Sequence, residues 1–509
     1  MKSHAHMETD MNQQASLIAP GENTERFLLR ENFGLFINGE VVASASGKTF
    51  ETWNPSTGEV LARVSEGDER DVDRAVRAAR AAFEGRWSGW TPYERQALLY
   101  RVHDVVERHF DELAEIESLD MGAPISRTRA SKSALLKMIL FFAAQSASIA
   151  GQTVQNGLPG DVMTLSIKAP VGVVGGIIPW NGPLVGQWWV LGAVLASGCT
   201  AVLKPAEDAS LSVLRTVELL REAGLPAGVV NVVTGMGHVA GAALAAHPGV
   251  DRIAFTGSTT TGRKIIEAST GNIKKLQLEL GGKSPDIVFT DADLVKAVPG
   301  AAMGVFANSG QICFAGTRVF VERSIAGEFS ARVADFARSI RVGQSMDADA
   351  QLGPLISGRQ LDRVMSYIEI GSQEGARLVC GGQRPGGVPG NGYFVAPTVF
   401  ADVSNDMRIA REEIFGPVLS VIPFDTVEEA IALGNQTEYG LGGAVWTRDI
   451  SRALRVVKGI HTGVMWVNCY GLIDPMIGFG GTKQSGYGAK GSNAHLDTYL
   501  YTKSVYINT

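Results

Sequence analysis

The sequence predicts an α/β protein built on parallel sheets, with a small separate pair of β-strands. From about residue 171 onward, short apolar runs alternate with segments of helical periodicity. Parallel strands need long crossover connections, so this alternation indicates sheets that helices cover on both faces. Residues 162–168 and 501–508 alternate with a period of two instead, and we expect these distant segments to pair with each other.

The individual elements follow from their periodicity. Residues 69–83 and 94–116 place apolar side chains on one face at helical spacing, so each segment predicts a continuous helix. The runs that predict strands of a first parallel series are VGVVGGIIPW, CTAVLKP, GVVNVVTG, DRIAFTG and KLQLELGG. Those of a second series are TRVFVE, VLSVIPF, GGAVWT and GVMWVN.

The composition excludes several classes of protein. The chain of 509 residues is 45% apolar, which is enough for a large core and about three domains. The net charge is −6 and no block of Lys and Arg stands out, which argues against a nucleic-acid partner. The uncharged stretch Ala169–Leu203 is interrupted by Pro179 and Pro183, so we interpret it as a protein interior and not as a membrane span.

Cysteine usage and the N-terminus bear on location. The four cysteines are widely separated and form no CxxC pair or Cys/His cluster, which argues against a disulfide framework and against a metal site. Residues 1–30 lack the apolar core of a signal peptide. Sparse cysteines are typical of a reducing compartment, and we therefore expect a cytoplasmic location.

Two kinds of motif could bind a ligand, and each also has an ordinary structural explanation. FTGSTTTG contains Gly257 and Ser258 at the start of a helix, which could bind phosphate or be a capped turn. GMGHVAG, with Gly237, is a second glycine-rich turn of this kind. In LKPAE, Lys204 and Glu207 follow a strand end and could hold ribose hydroxyls or form a solvated surface pair.

Three further motifs contain candidate catalytic groups. Glu279 in LELGGKSP ends an apolar strand, so its carboxylate is either paired structurally or kept at a raised pKa for proton transfer. Asn181 in PWNGP could donate a hydrogen bond to a developing oxyanion or could shape the turn. Cys313 in NSGQICFAGTR is either an inert buried thiol or a nucleophile to which its small neighbours give access.

Six motifs occur in the order PWN, LKPAE, FTGST, LELGGKSP, GQIC and EEIFGPV. Together they resemble the aldehyde dehydrogenase superfamily, specifically its NAD(P)-dependent, non-acylating branch, from about Leu35 to Val505. The resemblance implies a parallel-sheet, Rossmann-like cofactor domain, an α/β catalytic domain and a small β oligomerisation arm. It also implies a homodimer or homotetramer that oxidises a small-molecule aldehyde.

The resemblance implies a role for each motif. Cys313 would be the nucleophile that forms a thiohemiacetal and then a thioester, with Asn181 and the Cys313 backbone N–H stabilising the oxyanion. Glu279 would activate the water that releases the acid. Lys204 and Glu207 would hold the adenine ribose, and a carboxylate there favours NAD over NADP. The remaining cofactor contacts would come from Ile177, Ile178, Trp180, Gly237, Gly257, Ser258, Leu280, Glu413 and Phe415.

The resemblance also implies domain boundaries. The NAD-binding domain would comprise residues 25–150 and 171–280, and the catalytic domain residues 281–484. Residues 151–170 and 485–509 would form the oligomerisation arm. Residues 1–24 would be a flexible N-terminal extension.

The sequence departs from close relatives in two places. Gly182 and Gly186 replace bulky residues of relatives that act on small aldehydes, which opens volume unless Trp188 fills it. Near the C-terminus, Ala489 and Lys490 in KQSGYGAKGS stand where close relatives carry Arg and Glu. The pocket lining implies a hydrophobic or aromatic aldehyde of medium to large size. The lining residues would be Gly182, Gly186, Trp189, Ile312, Phe314, Ile473 and Phe479.

Three other functions remain open at this point. A CoA-acylating dehydrogenase would pass the acyl group to CoA, and the presence of Glu279 argues for water as the acceptor. A cofactor-independent esterase that uses Cys313 would leave LKPAE and FTGST unexplained, and no histidine lies within ten residues of Cys313. A non-catalytic protein of the same fold would not need Cys313, Glu279 and Asn181 together.

Overall fold

The computed structural model describes residues 16–508 and confirms the predicted α/β fold with parallel sheets. Two large sheets, of eight and seven strands, each have a parallel centre and are accompanied by a separate three-stranded sheet. The strands are β1 Leu35–Ile37, β2 Glu40–Val42, β3 Thr49–Asn54, β4 Glu59–Ser65, β5 Thr153–Val154, β6 Val162–Pro170, β7 Val173–Ile178, β8 Thr200–Pro205, β9 Val230–Val232, β10 Arg252–Thr256, β11 Lys275–Glu279, β12 Pro285–Val288, β13 Arg318–Glu322, β14 Arg377–Cys380, β15 Thr398–Ala401, β16 Val418–Phe424, β17 Tyr439–Gly440, β18 Gly442–Trp446, β19 Val464–Val467, β20 Thr482–Lys483, β21 Gly486–Tyr487 and β22 Leu500–Asn508.

Helices cover the sheets and connect their parallel strands. They are α1 Glu22–Leu28, α2 Glu69–Glu84, α3 Pro92–Arg108, α4 Phe110–Met121, α5 Ile125–Ala130, α6 Lys132–Ser146, α7 Pro183–Gly186, α8 Trp188–Ser197, α9 Leu211–Glu222, α10 Ala242–Ala246, α11 Thr259–Ala268, α12 Leu294–Phe306, α13 Arg323–Ser339, α14 Gly358–Gln373, α15 Arg408–Arg411, α16 Val427–Asn435, α17 Ile450–Gly459 and α18 Ser492–Asp497. Short 3₁₀ turns span Arg86–Gly89, Ser269–Gly271 and Ala307–Gly310, and a π turn spans Gly237–Gly241. Within the described residues, no helix is both long and apolar enough to cross a membrane.

The first sheet brings the ends of five parallel strands to one edge. Its strand order is β2-β1-β9-β8-β7-β10-β11-β21, and β9, β8, β7, β10 and β11 run parallel. In register, Ile177 lies beside Lys204, and Thr256 lies beside Glu279. Ligands of such sheets bind outside the carboxyl ends of the strands, so several predicted motifs share one edge.

The second sheet has the order β14-β15-β16-β13-β12-β18-β19 and is parallel apart from β14. Strands β12, β14 and β15 were not predicted from the periodicity of the sequence. Strand β12 is only four residues long and is preceded by two glycines, so its local pattern is weak. Its full burial between β13 and β18 nevertheless makes it a central strand.

The helix predicted over residues 94–116 is wrong in one respect, because the chain breaks at His109. Helix α3 ends at Arg108 and α4 begins at Phe110, with His109 at φ −100° and ψ 12°. All residues of α4 except Asp111 are buried, whereas α3 has an exposed face. The break lets α4 enter the core instead of continuing along the surface. Helical periodicity alone does not predict this change of direction.

Two buried carboxylates of α4 accept hydrogen bonds from backbone N–H groups at the N-termini of other helices. Glu117 accepts hydrogen bonds from the backbone N–H of Leu184 at 3.2 Å and from the Ser212 hydroxyl at 2.7 Å. Asp120 accepts one from the Leu211 backbone N–H at 2.9 Å. The first N–H groups of a helix have no intrahelical acceptor, so α4 supplies acceptors for α7 and α9 from a distance. Burial raises the pKa of Glu117 to about 7.

The two segments predicted to pair form one antiparallel ribbon. Strand β22 pairs with β6 along its whole length, from Leu500 opposite Pro170 to Asn508 opposite Val162, and β5 adds a short third strand. Several apolar side chains of this three-stranded arm are exposed, including Met163 (51%) and Tyr506 (69%).

The predicted N-terminal extension is wrong for residues 16–24, while residues 1–15 lie outside the described part of the chain. The Ile18 backbone N–H donates to the Met346 carbonyl at 2.8 Å. The Thr24 hydroxyl donates to the buried Glu115 carboxylate at 2.6 Å, and helix α1 already begins at Glu22. The same Glu115 oxygen accepts the Gly21 N–H at 2.9 Å, while Arg129 donates to the other oxygen at 3.3 Å, so residues of this segment help to satisfy a buried carboxylate and are thereby anchored.

Candidate active site

The loop that carries Cys313 is held in an unusual backbone conformation. Asn308 and Ser309 both adopt left-handed values, with φ of 54° and 56°, immediately before the cysteine turn. The Ser309 hydroxyl donates to the Gly353 carbonyl at 2.7 Å, and the Gln311 side-chain oxygen accepts the Ile356 N–H at 2.9 Å. Such conformations persist only where the surroundings over-determine them, so the loop is a rigid platform.

Two glycines let other segments approach this platform closely. A Cβ on Gly310 would lie 2.1 Å from the Gly416 backbone, and Gly310 itself has φ of 72°. A Cβ on Gly282 would lie 2.4 Å from the Cys313 carbonyl oxygen. Any side chain at these positions would displace the backbone next to the thiol.

Asn181 lies against the same loop. Its side-chain Nδ2 donates to the Gln311 carbonyl at 2.9 Å, and the Asn308 Nδ2 donates to the Asn181 carbonyl at 3.0 Å. An amide nitrogen carries two hydrogens, so Asn181 keeps a second donor after this bond. The loop after β7 and the Cys313 loop, 130 residues apart in sequence, are thus joined directly.

Glu279 is a buried carboxyl group at the end of β11. It is 3% exposed, and neither carboxylate oxygen has a hydrogen-bond partner among the described residues. Burial raises its pKa to about 8, and the positive charge of Lys490 acts in the opposite direction. Of the two interpretations from sequence, a structurally paired carboxylate does not describe this group.

The Cys313 thiol is partly accessible but surrounded by protein. Burial raises its pKa to about 12, the carboxylates of Glu279 and Glu413 add to this, and Lys490 lowers it. The thiolate, which is the reactive form, therefore depends on the charges around it.

Glu413 and Phe415 approach from the segment that follows α15. The Glu413 carboxylate accepts the Gly282 N–H at 3.0 Å, and a Cβ on Gly281 would lie 2.5 Å from it. Burial raises the pKa of Glu413. Phe415 has a left-handed φ of 61°, and its ring meets that of Trp180 edge to face at 5.2 Å.

Lys204, Glu207 and Gly237 form a second group at the sheet edge. The buried Lys204 ammonium contacts the Glu207 carboxylate at 2.8 Å, and a Cβ on Gly237 would lie 3.7 Å from Glu207. Burial alone would raise the pKa of Glu207, but the Lys204 charge and hydrogen bonds outweigh it and the pKa is lowered. The carboxylate is therefore ionised at neutral pH.

The FTGST motif forms the start of α11 as expected. The Ser258 hydroxyl accepts the Thr261 N–H at 3.2 Å and caps the helix. Gly262 lets the helix pack on Leu280, because a Cβ there would lie 2.7 Å from that side chain. Ile177 and Ile178 end the neighbouring strand β7. Among residues 16–508, no group of three or more His, Cys, Asp or Glu side chains is arranged to hold a metal ion.

The predicted substrate residues divide into two sets. Phe314 packs on Phe479 with ring centroids 5.5 Å apart, and Ile312 and Phe314 flank Cys313 in the chain. No atom lies within 4 Å of a Cβ built on Gly182 or Gly186, so Trp188 does not fill the space at Gly182. Farther out, Ile473 is 42% exposed on its loop, and the Trp189 ring lies 6.1 Å from His495.

Several residues that shape the site were not among those predicted from the sequence. Asn308 and Gln311 lock the cysteine loop, Tyr470 donates its hydroxyl to the Phe314 carbonyl at 2.6 Å, and Trp466 packs on Phe314. Asn308 offered a signal, because Asn tolerates left-handed conformations and here precedes Ser-Gly. The two aromatic residues offered none, since they lie more than 150 residues farther along the chain.

Comparison with known proteins agrees with this geometry. The model of the aldehyde dehydrogenase family matches residues 41–505. DhaS of Bacillus subtilis (strain 168) is 48% identical over 476 residues, covering 93% of this chain and 95% of that protein. An aldehyde dehydrogenase of Emericella nidulans is 45% identical over 474 residues, covering 93% and 94%.

A solved structure gives the same result. The NAD⁺ complex of an aldehyde dehydrogenase from Bacillus cereus superposes with a TM-score of 0.94 at 46% identity, covering 97% of this chain and 99% of that one. The likeness extends over both large sheets and the arm, because almost the whole of each chain is included. The chain therefore belongs to the aldehyde dehydrogenase family.

Proposed function

We propose that this enzyme oxidises a hydrophobic or aromatic aldehyde to the carboxylic acid with NAD, using Cys313, Asn181 and Glu279. The observation that carries the proposal is the convergence of three segments at one thiol. Asn181 bonds to the residue that begins the cysteine turn, Gly282 touches the Cys313 carbonyl, and an unpartnered buried carboxylate, Glu279, acts on the thiol's ionisation.

The first step is attack by the Cys313 thiolate on the aldehyde carbon, which forms a C–S bond and places negative charge on the aldehyde oxygen. The second hydrogen of the Asn181 amide and the Cys313 backbone N–H stabilise this charge. Donors of this kind contribute about 3 kcal/mol each in other oxyanion holes. The rigid loop keeps both donors in place before the reaction begins.

Bound NAD supplies the acceptor for the hydride that leaves the aldehyde carbon, and an acyl thioester remains on Cys313. Glu279 then accepts a proton from water, whose oxygen attacks the thioester carbonyl. The C–S bond breaks, the acid leaves, and Cys313 regains its thiolate. With a pKa of about 8, Glu279 is partly ionised near neutral pH and can both accept and return this proton.

The residues at the sheet edge fit a dinucleotide with a free 2′-hydroxyl. The ionised Glu207 carboxylate and the Lys204 ammonium can hold two ribose hydroxyls. The N-terminus of α11 at Gly257 and Ser258 suits a pyrophosphate. Because Glu207 is negative, we expect NAD to be preferred over NADP. Glu207→Gln should lower the ratio of kcat/KM for NAD to kcat/KM for NADP. An unchanged ratio of the two kcat/KM values would contradict this assignment.

The test is a stopped-flow measurement of NADH formation with a panel of aldehydes. Wild type should show a burst followed by slower turnover when thioester hydrolysis limits the rate. Cys313→Ala should abolish both phases, and Glu279→Gln should keep the burst while it suppresses turnover. Cys380→Ala removes a half-buried thiol from outer strand β14 and should behave as wild type. A burst that survives in Cys313→Ala would overturn the assignment of the nucleophile.

Two alternatives are outcomes of the same experiment. If turnover requires CoA and acyl-CoA accumulates, the acceptor is CoA and not water. If ester hydrolysis by Cys313 proceeds equally well without NAD while no aldehyde is oxidised, the enzyme is an esterase. The unpartnered Glu279 carboxyl supports water as the acceptor.

The substrate class rests on empty space and on apolar lining. Gly182 and Gly186 border open volume, and Phe314, Phe479 and Trp466 form an aromatic cluster beside the nucleophile. We expect a higher kcat/KM for aromatic or long-chain aldehydes than for acetaldehyde. Gly186→Met should lower it for large aldehydes only, whereas Gly271→Met, also in open space, should change neither. Equal losses for large and small aldehydes would refute this lining role.

We further propose that the sheet of β5, β6 and β22, which lies within residues 151–170 and 485–509, is an oligomerisation arm, whereas β21 belongs to the first large sheet instead, and that the chain is a cytoplasmic homodimer or homotetramer. Exposed apolar side chains on β6 and β22, and four unpaired cysteines, support this. The NAD-binding domain would be residues 25–150 and 171–280, and the catalytic domain 281–484. Light scattering should give a mass above one chain, and Tyr506→Lys should reduce it. A monomeric wild type would contradict the proposal.

A further inference from the structure

Lys490 lies beside the base of the proposed reaction. It follows β21, which pairs antiparallel with β11 so that Gly486 lies opposite Glu279. The Lys490 ammonium donates to the Thr256 hydroxyl at 2.8 Å. Thr256 is the register neighbour of Glu279 on the adjacent parallel strand, so the two side chains lie on the same face of the sheet.

The backbone that carries Lys490 is fixed on both sides. Lys490 and Phe479 exchange two backbone hydrogen bonds, of 2.6 and 2.7 Å. The Gln277 side chain donates to the Gly488 and Ala489 carbonyls, both at 3.2 Å. The ammonium group can therefore change partner by rotation of its own side chain, without movement of the chain.

Within the described part of the chain, no hydrogen-bond donor reaches the Glu279 carboxylate to stabilise its charge. Both oxygens are buried without a partner among residues 16–508, and a Cβ on Gly480 would lie 3.1 Å from Oε1. A carboxylate in such a place ionises only with a compensating charge nearby. The ammonium of Lys490 acts in that direction on both Glu279 and the Cys313 thiol.

We propose that Lys490 is a positioning residue for hydrolysis: its ammonium leaves the Thr256 hydroxyl and pairs with the Glu279 carboxylate when that group ionises. The inference rests on the proposed role of Glu279 as the base. The pairing aligns the carboxylate toward the thioester and lets the base work at lower pH. It forms no covalent bond, and the proton that Glu279 takes from water returns to solvent after the acid leaves.

The other charged groups around the site do not supply this cation. Glu413, from the segment after α15, acts on Cys313 with a negative charge. His495, from α18, is 1% exposed, and burial together with the charges of Arg252 and Lys490 lowers its pKa to about 3, so it stays neutral. The base and the thiol thus share the positive charge of Lys490, whereas the cations that act on Glu413 are Lys283 and Arg363.

The sign of the effect follows from the charges. Because the Lys490 ammonium favours ionised Glu279, its removal should raise the pH at which the base becomes active. We expect the acidic limb of the hydrolysis rate to move up by about one pH unit in Lys490→Met. At a pH well below that limb, hydrolysis should slow about tenfold. NADH formation in the burst does not require the base, so a change in the burst reports the effect of Lys490 on the Cys313 thiolate instead.

The experiment measures burst and steady-state rates across pH for the full-length enzyme with NAD and one aromatic aldehyde. Lys490→Arg keeps the charge, so the acidic limb of its hydrolysis rate should lie close to that of the wild type. Lys458→Met removes the same charge from the exposed face of α17 and should leave the profile unchanged. Thr256→Val removes the hydroxyl to which the ammonium donates but keeps the charge of Lys490. It therefore distinguishes the effect of the charge from the effect of the hydrogen bond.

The outcomes are distinct. If Thr256→Val reproduces the Lys490→Met profile, the hydrogen bond matters and the charge does not, and the inference is overturned. An unshifted limb in a folded Lys490→Met also overturns it. If Lys490→Met does not fold, a limb in Lys490→Arg that coincides with wild type supports the inference, and a limb raised by about one unit overturns it. Separately, normal hydrolysis in Glu279→Gln would refute the proposed base itself, whatever Lys490 does.

Discussion

Adding one methyl group at Gly282 should disable the nucleophile by displacing the Cys313 backbone, with the thiol itself unchanged. A Cβ there would lie 2.4 Å from the Cys313 carbonyl oxygen and 3.3 Å from the Leu441 Cβ. A carbon–oxygen contact normally needs about 3.3 Å, so Gly282→Ala requires a displacement of ~0.9 Å. The left-handed turn and its side-chain bonds resist that movement on the far side.

The size of the effect follows from that displacement. Misplacing a reactive group by about 1 Å costs on the order of 100-fold in rate, so we expect such a loss in the NADH burst. Overpacking should also lower the free energy of unfolding by about 1–3 kcal/mol. The contacts proposed for the adenine ribose should change little, because Lys204 and Glu207 lie on a different strand end.

The assay combines stopped-flow NADH formation with urea unfolding. Gly327→Ala is the matched control, since no atom lies within 4 Å of its Cβ and it sits inside helix α13. It should keep full activity and gain about 0.5–1 kcal/mol in stability. A burst rate in Gly282→Ala within about twofold of wild type would show that the cysteine loop yields easily, and would refute the rigid-platform argument.

Three further expectations concern residues that support the site. Burial raises the pKa of Glu117 from 4.5 to about 7, so the folded state binds more protons between these values and loses stability as pH rises. Relative to Glu117→Gln, the free energy of unfolding of the wild type in urea should fall by up to about 3 kcal/mol between about pH 5 and about pH 8. A difference between the two proteins that does not change with pH would contradict this expectation. The buried Arg318 guanidinium donates to four carbonyl or amide oxygens, so Arg318→Met should cost about 3 kcal/mol or more, and a loss below about 1 kcal/mol would be inconsistent. Asn308→Ala removes two hydrogen bonds at a φ of 54°, and the burst should slow about tenfold or more, with an unchanged burst as the contrary result.

Local patterns were sufficient for half of the strands, including most of the parallel strands in the two large sheets. Every apolar run assigned to a strand is a strand, because alternation and short apolar runs reflect burial within a few residues. Among the parallel strands of the two large sheets the misses are β12 and β15, and the short or outer strands β1 to β5, β14, β17, β20 and β21 and the break at His109 were missed as well. For β12, β15 and the break, the neighbouring segments in space decide the outcome, as with the four residues of β12 held between two parallel strands.

The candidate site divides in the same way. The motif residues Cys313, Asn181 and Glu279 could be named from sequence, because each sits in a short pattern with a known chemical use. The hydrogen-bonding and protonation states of these residues could not be predicted from the sequence. Whether Glu279 is paired depends on residues such as Gly480, and the bond from Asn181 to the Gln311 carbonyl spans 130 positions.

By itself, the sequence determined the α/β class, the order of the motifs and the types of reactive group, because these depend on periodicity and side-chain chemistry. The tertiary structure alone decided that Glu279 is buried without a donor, that Lys490 reaches the neighbouring strand, and that residues 16–24 are anchored. The physical reason is that charge and hydrogen bonding act through space. A pKa depends on which atoms surround a group, and those atoms come from distant parts of the chain.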